Sequence, residues 1–166
     1  MRKLLIVLII GAAMAANMAA PSTAMPQKAT TPAQVVRASF DALNRGDAAA
    51  AAAAFAPNGE LITPLGGCNP CTGRVVIQQH LSRAVASGTT VTLIGRPQVR
   101  GAVITFRGEV RATSFPPGIE RVIGVFRSTT RKGLILRQTN DYDRSDPQTA
   151  ALLAAIQQAS GTTSSS

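Results

Sequence analysis

The chain has 166 residues, which is enough for one domain of ordinary size and leaves little for a second. Apolar residues make up 45% of it, a share that is typical of a globular domain and too high for a disordered chain. The formal net charge of +9 would suit an anionic partner, but the arginines are dispersed and many alternate with apolar residues. Because Trp is absent and Tyr142 is the only Tyr, few rings could stack on bases. We therefore expect a solvated, arginine-rich face of a sheet and no nucleic-acid partner.

Residues 1–24 have the pattern of a signal peptide. Two basic residues follow Met1, and an apolar run comes next, over residues 4–16. This run is short for a membrane span, and Ser22-Thr23-Ala24 offers a small-x-small cleavage site after it. An uncleaved anchor or a buried helix would explain the segment less well. We expect an exported protein, periplasmic or extracellular, with a flexible leader over 25–30 and no stable membrane anchor after cleavage.

Two helices are predicted next. Thr31 can cap the first helix and Pro32 suits its first position, and apolar side chains then recur at helical spacing until Gly46. Asp47 can cap a second helix, which contains seven consecutive alanines and ends near Phe55. Because Ala is the best helix former, we interpret this tract as a helix and not as low complexity.

A turn, a short strand and a third helix follow. Pro57-Asn58-Gly59 is typical of a turn, and Glu60-Leu61-Ile62-Thr63 predicts a strand that ends at Pro64. The third helix is expected from Gly73 to Ala86, with an apolar stripe that includes His80.

Cys68 and Cys71 are the only cysteines, and they form a C-x-x-C motif. Such a pair can be a redox motif, half of a metal site or a structural disulfide. A zinc site would need two more ligands while His80 is the only His, and a thioredoxin-like motif should open a helix that follows a strand. We therefore expect a structural disulfide, which suits an oxidising compartment, and no metal or other cofactor.

From residue 90 onward the sequence changes from the period of helices to the period of strands. Four segments rich in β-branched residues alternate apolar and polar positions: Thr90 to Arg100, Val103 to Thr113, Arg121 to Ser128 and Leu134 to Asp141. Turns rich in Gly and Pro separate them, which predicts an antiparallel meander after three helices and so an α+β fold. A last helix is expected from Asp146 to about Gln158, and residues 159–166 should be a disordered tail.

Several stretches resemble the nuclear transport factor 2-like, or SnoaL-like, superfamily. Val35 to Asp47, followed by Phe55-Ala56-Pro57-Asn58-Gly59, looks like its N-terminal signature, and Thr72 to Ile77 matches its Gly-Arg-x-x-Ile helix start. The ending in Asn140-Asp141-Tyr142-Asp143 fits as well. The resemblance covers residues 31–158 and implies a cone-shaped fold, in which a curved, mainly antiparallel sheet wraps around the helices and leaves an apolar pocket. Because the superfamily contains isomerases, dehydratases, cyclases, epoxide hydrolases and non-catalytic binders, the fold alone assigns no activity.

The catalytic residues of two enzyme types of this superfamily have no counterpart here. In ketosteroid isomerases a carboxylate base precedes Pro-x-Gly, whereas Thr63 takes that place in this chain. The oxyanion Tyr of those enzymes would fall near Ser39. A SnoaL-type acid–base pair would need His and Asp. The sole candidate, His80, lies on an apolar helical stripe, which favours a satisfied core or surface histidine.

The epoxide-hydrolase type of the superfamily fits in part. Arg107 and Glu109 resemble its Arg-x-carboxylate pair, and two residues apart on a strand they point to the same face. The second carboxylate is missing, because Gln138 takes its place. We expect instead that Arg107 and Glu109 form an ion pair on the outer face of the sheet, worth under about 1 kcal/mol. The apolar residues that alternate with them would then face the core.

Two main hypotheses about function follow. The first is a binding domain without catalysis, acting through a small lipophilic ligand or through assembly. Its candidate ligand-binding residues are mostly apolar: Phe40, Phe55, Leu61, Thr63, Leu81, Phe106, Gln138 and Asn140. The second is a hydrolase or isomerase that uses Glu109 or Asp141 as a base, with Arg107 and His80 as further candidates. A third hypothesis is a homodimer through the arginine-rich outer face. The stability of this dimer should depend on salt concentration, because facing arginines repel.

Overall fold

The computed structural model describes residues 31–161, and this range contains four helices and six strands. In chain order they are α1 (Pro32–Asn44), α2 (Ala48–Ala53), β1 (Phe55–Thr63), β2 (Cys68–Thr72), α3 (Arg74–Ala86), β3 (Thr90–Arg100), β4 (Val103–Arg111), β5 (Val122–Arg131), β6 (Leu134–Tyr142) and α4 (Pro147–Gly161). The strands form one sheet in the order β2-β1-β6-β5-β4-β3. The β1–β6 pair is parallel and the other pairs are antiparallel. The predicted α+β class with a mainly antiparallel sheet is confirmed.

The structure tests the predictions for the C-terminal end of the chain but not those for the N-terminal end. The predicted signal peptide over 1–24 and leader over 25–30 lie outside the described residues. Within 31–161 no helix is long and apolar enough to cross a membrane. The predicted tail begins too early, because α4 continues through residues 159–161. Ala159 and Ser160 do not break a helix, and the last described position is Gly161.

The caps of the first two helices are confirmed. The Thr31 hydroxyl accepts a hydrogen bond from the Gln34 backbone at 3.3 Å, and the Gln34 side chain accepts one from Thr31 N–H in return. Asp47 caps α2 in the predicted way. Asn44, at the end of α1, accepts from Val91 N–H and donates to Val91 C=O, both at 2.8 Å. This pair of bonds fixes the end of α1 against β3.

The predicted turn at Pro57-Asn58-Gly59 is wrong, because β1 runs through it. The pairing of β1 with β6 shifts register between Phe55 and Glu60, so the turn-forming residues lie in an irregular part of the strand. Gly59 is needed there for a close approach of two backbones. A Cβ at this position would lie 3.0 Å from the Ile135 carbonyl oxygen of β6.

The Gly-Arg motif connects α3 to the sheet. Gly73 adopts a φ of +88° just before α3, and its N–H donates to the Gly59 carbonyl at 2.8 Å. The Arg74 guanidinium donates twice to the Phe55 carbonyl, from Nε at 3.0 Å and from Nη2 at 2.6 Å. These charge-assisted bonds satisfy a carbonyl at the start of β1, where the ladder to β6 is interrupted.

The cysteine motif forms strand β2, where no strand was predicted. Cys68 pairs with Thr63 and Cys71 with Leu61 on β1, so β2 forms an edge of the sheet. The predicted disulfide between the two cysteines is present. A strand this short, with Asn and Pro inside it, has no alternating apolar pattern from which it could be predicted.

We expect this disulfide to contribute little to stability. Its loop spans a sequence separation of three residues, and the entropic benefit of a cross-link grows with the length of the loop. Reduction by a thiol should lower the free energy of unfolding by about 1–2 kcal/mol, as measured by urea denaturation. The variant C68A/C71A should show no response to the thiol. A loss above about 4 kcal/mol on reduction would show that the bond does more than close this loop.

Candidate functional site

A cavity of about 390 Å³ lies between helices α1–α3 and one face of the sheet. Five strands and all three of these helices contribute residues to it. Its walls are mostly apolar and include Leu43, Phe55, Leu61, Val91, Val110 and Phe126. A mostly apolar cavity of this size with a few polar groups is typical of small-molecule sites.

Seven of the eight residues predicted to bind a ligand line this cavity: Phe40, Phe55, Leu61, Thr63, Leu81, Gln138 and Asn140. Phe106 does not belong to the lining. It is buried behind Phe40, with ring centroids 6.5 Å apart and nearly perpendicular planes. The Arg37 guanidinium lies over the Phe106 ring, 5.8 Å from its centroid. That these residues contact a ligand stays a prediction.

Three polar side chains of the cavity lie on β6. Gln138, Asn140 and Tyr142 alternate along the strand and share the face that lines the cavity. Gln138 Nε2 donates to Asn140 Oδ1 at 3.0 Å, and the buried Ser128 hydroxyl donates to Gln138 Oε1 at 3.3 Å. Thr63 of β1 lies beside them because β1 and β6 are adjacent in the sheet. These four side chains form a polar strip on one side of the cavity, and the helices and loops contribute other polar residues to its lining.

Tyr142 is a site residue that the sequence analysis missed. Burial raises the pKa of Tyr142 to about 12, and hydrogen bonds from the Thr63 and Asn140 side chains oppose this shift. The hydroxyl is therefore protonated at neutral pH. On a strand, side chains two residues apart share a face. The spacing that predicts Gln138 and Asn140 in the cavity therefore predicts Tyr142 there as well.

His80 was predicted to be a satisfied core or surface histidine; it is a core residue, but one of its ring nitrogens has no partner. The residue is only 8% exposed, and its Nδ1 is buried without a hydrogen-bond partner among the described residues. Burial lowers the pKa of His80, the positive charge of Arg83 lowers it further, and a contact with the Gly66 backbone partly offsets both. The ring lines the cavity. It therefore presents a neutral imidazole with an unused nitrogen.

The His80 imidazole also lies near the two cysteine sulfur atoms. One ligand atom from each of Cys68, Cys71 and His80 lies within 4.8 Å of the others. Because the two sulfur atoms are joined in a disulfide, neither is a thiolate that could bind a metal. Both cysteines are buried beside His80, and only His80 lines the cavity.

The candidate catalytic residues of β4 and β6 lie outside the cavity. Arg107 is 59% exposed on the outer face and forms an ion pair with Asp143 at 3.3 Å. Glu109 pairs with Arg111 at 2.6 Å and with Arg121 at 3.7 Å. The predicted outer-face location is thus observed, whereas the predicted Arg107–Glu109 ion pair is not: each has a different partner.

Asp141 is also exposed, because it alternates with the cavity-facing residues of β6. The ion pairs at Glu109 and Asp143, together with one between Arg137 and Glu60, place carboxylates among the outer-face arginines. Such carboxylates would offset the repulsion between arginines if two of these faces met. The homodimer stays a prediction.

The sequence of the domain matches a known family. The model of the SnoaL-like domain family matches residues 36–138, from α1 into β6. The chain belongs to this family. The match spans the three helices of the cavity and most of the sheet, so the predicted resemblance is confirmed. No curated protein has a detectable sequence match to this SnoaL-like domain.

Solved structures show the same fold at low sequence identity. An NTF2-like protein of unknown function from Cytophaga hutchinsonii is 14% identical, with a TM-score of 0.59, over 73% of this chain and 96% of its own. The epoxide hydrolase/cyclase-like enzyme SalBIII, which acts in pyran ring formation in salinomycin, is 21% identical, with a TM-score of 0.59, over 69% and 92%. TerC, crystallised with polyporic acid, is 17% identical, with a TM-score of 0.61, over 75% and 99%. At such identities the likeness extends to the fold alone.

Proposed function

We propose that this SnoaL-like domain binds a small, mostly apolar molecule in the cavity, and that it does so as an exported protein. The observation that carries the proposal is the cavity itself, because its volume of about 390 Å³ falls in the usual range for ligand sites. The polar strip on β6 and β1 could orient a ligand that is held mainly by apolar contacts. TerC, a structural neighbour, was crystallised with the small molecule polyporic acid, which is consistent with a binding role.

The distribution of carboxylates favours binding over the hydrolase or isomerase alternative. The chain has eight acidic residues, all within 31–161, and none of them lines the cavity. Glu109 and Asp141, the bases of that alternative, project from the opposite side of the sheet. A general base must come within hydrogen-bond reach of its substrate, and neither residue can do so from there. A ligand in the cavity would meet amides, hydroxyls, an imidazole and one guanidinium, that of Arg83.

Two independent features support export. The N-terminal 24 residues have the composition of a signal peptide, and the two cysteines of the domain form a disulfide. Structural disulfides persist in oxidising compartments, such as the periplasm and the extracellular space.

A ligand screen with two matched variants tests the binding proposal. A library of lipophilic compounds should contain members that raise the melting temperature of the wild-type protein, because a ligand that binds only the native state stabilises it. Ala84 of α3 lines the cavity, and A84F would place a ring in it. We expect A84F to weaken binding of those compounds about tenfold or more, since ring and ligand compete for a well-packed space.

The control for this experiment lies on the same helix. Ala86 is exposed, so A86F makes the same change of residue without entering the cavity, and it should bind like the wild type. Equal binding by A84F and the wild type would place the ligand elsewhere. A library that stabilises no variant at all would contradict the proposal.

A further inference from the structure

The turns of two neighbouring hairpins lie side by side at one end of the sheet. Residues 101–102 connect β3 to β4, and residues 132–133 connect β5 to β6. Thr130 N–H donates to the Ala102 carbonyl at 2.9 Å, so the two hairpins are in contact at this end. The connection between β4 and β5 lies at the opposite end of the sheet. We call the end that carries both turns the hairpin end.

Basic residues of the hairpin end lack acidic partners. The segments 96–108 and 122–140 contain this end, and neither has an Asp or a Glu. Within them, five exposed basic residues form no ion pair with any other described residue: Arg96, Arg100, Arg127, Arg131 and Lys132. Their positive charge is therefore offset by no ion pair within 31–161.

The register of the strands places three of these arginines on the outer face of the sheet. Arg100 is opposite Val103, and Val103 is opposite Thr129. Residues opposite each other on neighbouring strands share a face, as do residues two apart along one strand. Arg127 and Arg131 flank Thr129, so they project from the same face as Arg100. Because neighbouring strands are about 4.8 Å apart, the three arginines form a cluster across three strands.

The arginines towards the opposite end of the sheet have carboxylate partners. Their ion pairs join Arg107 to Asp143, Arg111 to Glu109, and Arg121 to Glu109 and Asp146. On β6, Arg137 likewise pairs with Glu60. Among the basic residues of the strands, the charge without ion-pair partners within 31–161 is therefore concentrated at the hairpin end.

Exposed aliphatic side chains lie beside these cations. Val99 is 51% exposed and precedes Arg100 on β3. Leu136 is 36% exposed, and it lies where the pairing of β5 with β6 shifts register. A lipid bilayer offers phosphate groups for the cations and acyl chains for such aliphatic groups, whereas a hydrated polyanion offers only the charge.

We propose that the hairpin end attaches the domain reversibly to a membrane surface that contains anionic phospholipids. Each basic residue close to such a surface raises the affinity about fivefold, so several together give a peripheral attachment that is sensitive to salt. None of the five cations lines the cavity, so this inference goes beyond the proposed binding of a ligand.

Two other partners fit the hairpin end less well. A second copy of the chain would bring the same uncompensated cations to the contact, and like charges repel. A nucleic acid would find no exposed ring on which its bases could stack. The only aromatic residues of 96–108 and 122–140 are Phe106 and Phe126, and both are buried.

Sedimentation with lipid vesicles tests this inference on the exported form of the protein, without residues 1–24. We expect binding to vesicles of phosphatidylcholine mixed with phosphatidylglycerol, release at high ionic strength, and little binding to phosphatidylcholine alone. R100Q/R131Q should raise the Kd for the mixed vesicles about tenfold or more, because it removes two of the clustered charges. V99S should raise this Kd about two- to threefold, because less aliphatic surface enters the bilayer.

The control variant R45Q/R144Q makes the same change in net charge. Arg45 follows α1, whose end is fixed against the start of β3, and Arg144 follows β6, so both exposed residues are remote from the hairpin end. This variant should bind within about twofold of the wild type. Equal losses in the two double variants would mean that net charge alone governs binding, and the inference would be overturned. It would also be overturned if the wild-type protein bound heparin but not the mixed vesicles, which would identify a soluble polyanion as the partner.

Discussion

Replacing Phe126 with alanine is expected to lower the free energy of unfolding by about 3–5 kcal/mol. Phe126 is 1% exposed, and its ring packs edge-on against Phe40 with centroids 5.2 Å apart. The ring also packs against Gly108, where a Cβ would lie 2.7 Å from Phe126 Cε2. The substitution would therefore enlarge the existing cavity at the point where α1 meets the sheet. Urea denaturation followed by circular dichroism measures the loss.

Phe115 is the matched control for this prediction. It also lines the cavity, but it lies in the connection between β4 and β5 and is only partly buried. F115A should cost less than F126A, because part of the Phe115 ring is already in contact with solvent. A similar loss in F115A and F126A would mean that the aromatic contacts around Phe126 do not hold α1 to the sheet.

The second large effect is expected at Gly66. This residue has a φ of +75°, a region in which a side chain costs roughly 1–2 kcal/mol. A Cβ at Gly66 would also lie 2.8 Å from His80 Cε1, and the buried ring would have to move. With about 1–3 kcal/mol for this clash, G66A should cost about 2–5 kcal/mol in total.

A substitution at the neighbouring glycine separates the backbone cost from the clash with His80. Gly67 has nearly the same φ, +77°, and nothing lies within 4 Å of a Cβ placed there, so G67A should show only the backbone cost of roughly 1–2 kcal/mol. In a His80→Ala background the clash disappears, and G66A should then cost no more than G67A. Thermal unfolding of the four variants checks both statements. Equal losses for G66A and G67A in the wild-type background would show that His80 does not restrict this loop.

The parts of the fold that the sequence predicts are those with local signals. The Thr31 cap and the seven-alanine tract define the first two helices within a few residues, and the alternation after residue 90 defines four long strands. These signals fail at β2 and at the start of β1. There the strands are formed by pairing with distant segments, and Gly, Pro and Asn residues indicate turns when only neighbours are considered.

The candidate site was predictable where it follows the alternation of β6, and not where it depends on tertiary contacts. The side chains of Gln138 and Asn140 face the cavity as their spacing indicates. The His80 ring packs close to Gly66, which comes from the loop between β1 and β2, and this contact leaves no mark on the helical pattern of α3. Likewise, the ion pair of Arg107 with Asp143 joins residues 36 positions apart, whereas the sequence suggested a partner two residues away.

The position of β6 in the sheet has a consequence for how the domain folds. The last strand to be synthesised lies between β1 and β5, and it is the only described neighbour that joins the β1–β2 hairpin to the rest of the sheet. Loop closure over such separations is slow, and strands that lack their central neighbour leave unpaired edges. A nascent chain that ends before residue 134 would consist of two separate pieces of sheet. The polar strip arrives with β6, so the cavity acquires its shape and its chemistry in the same late step.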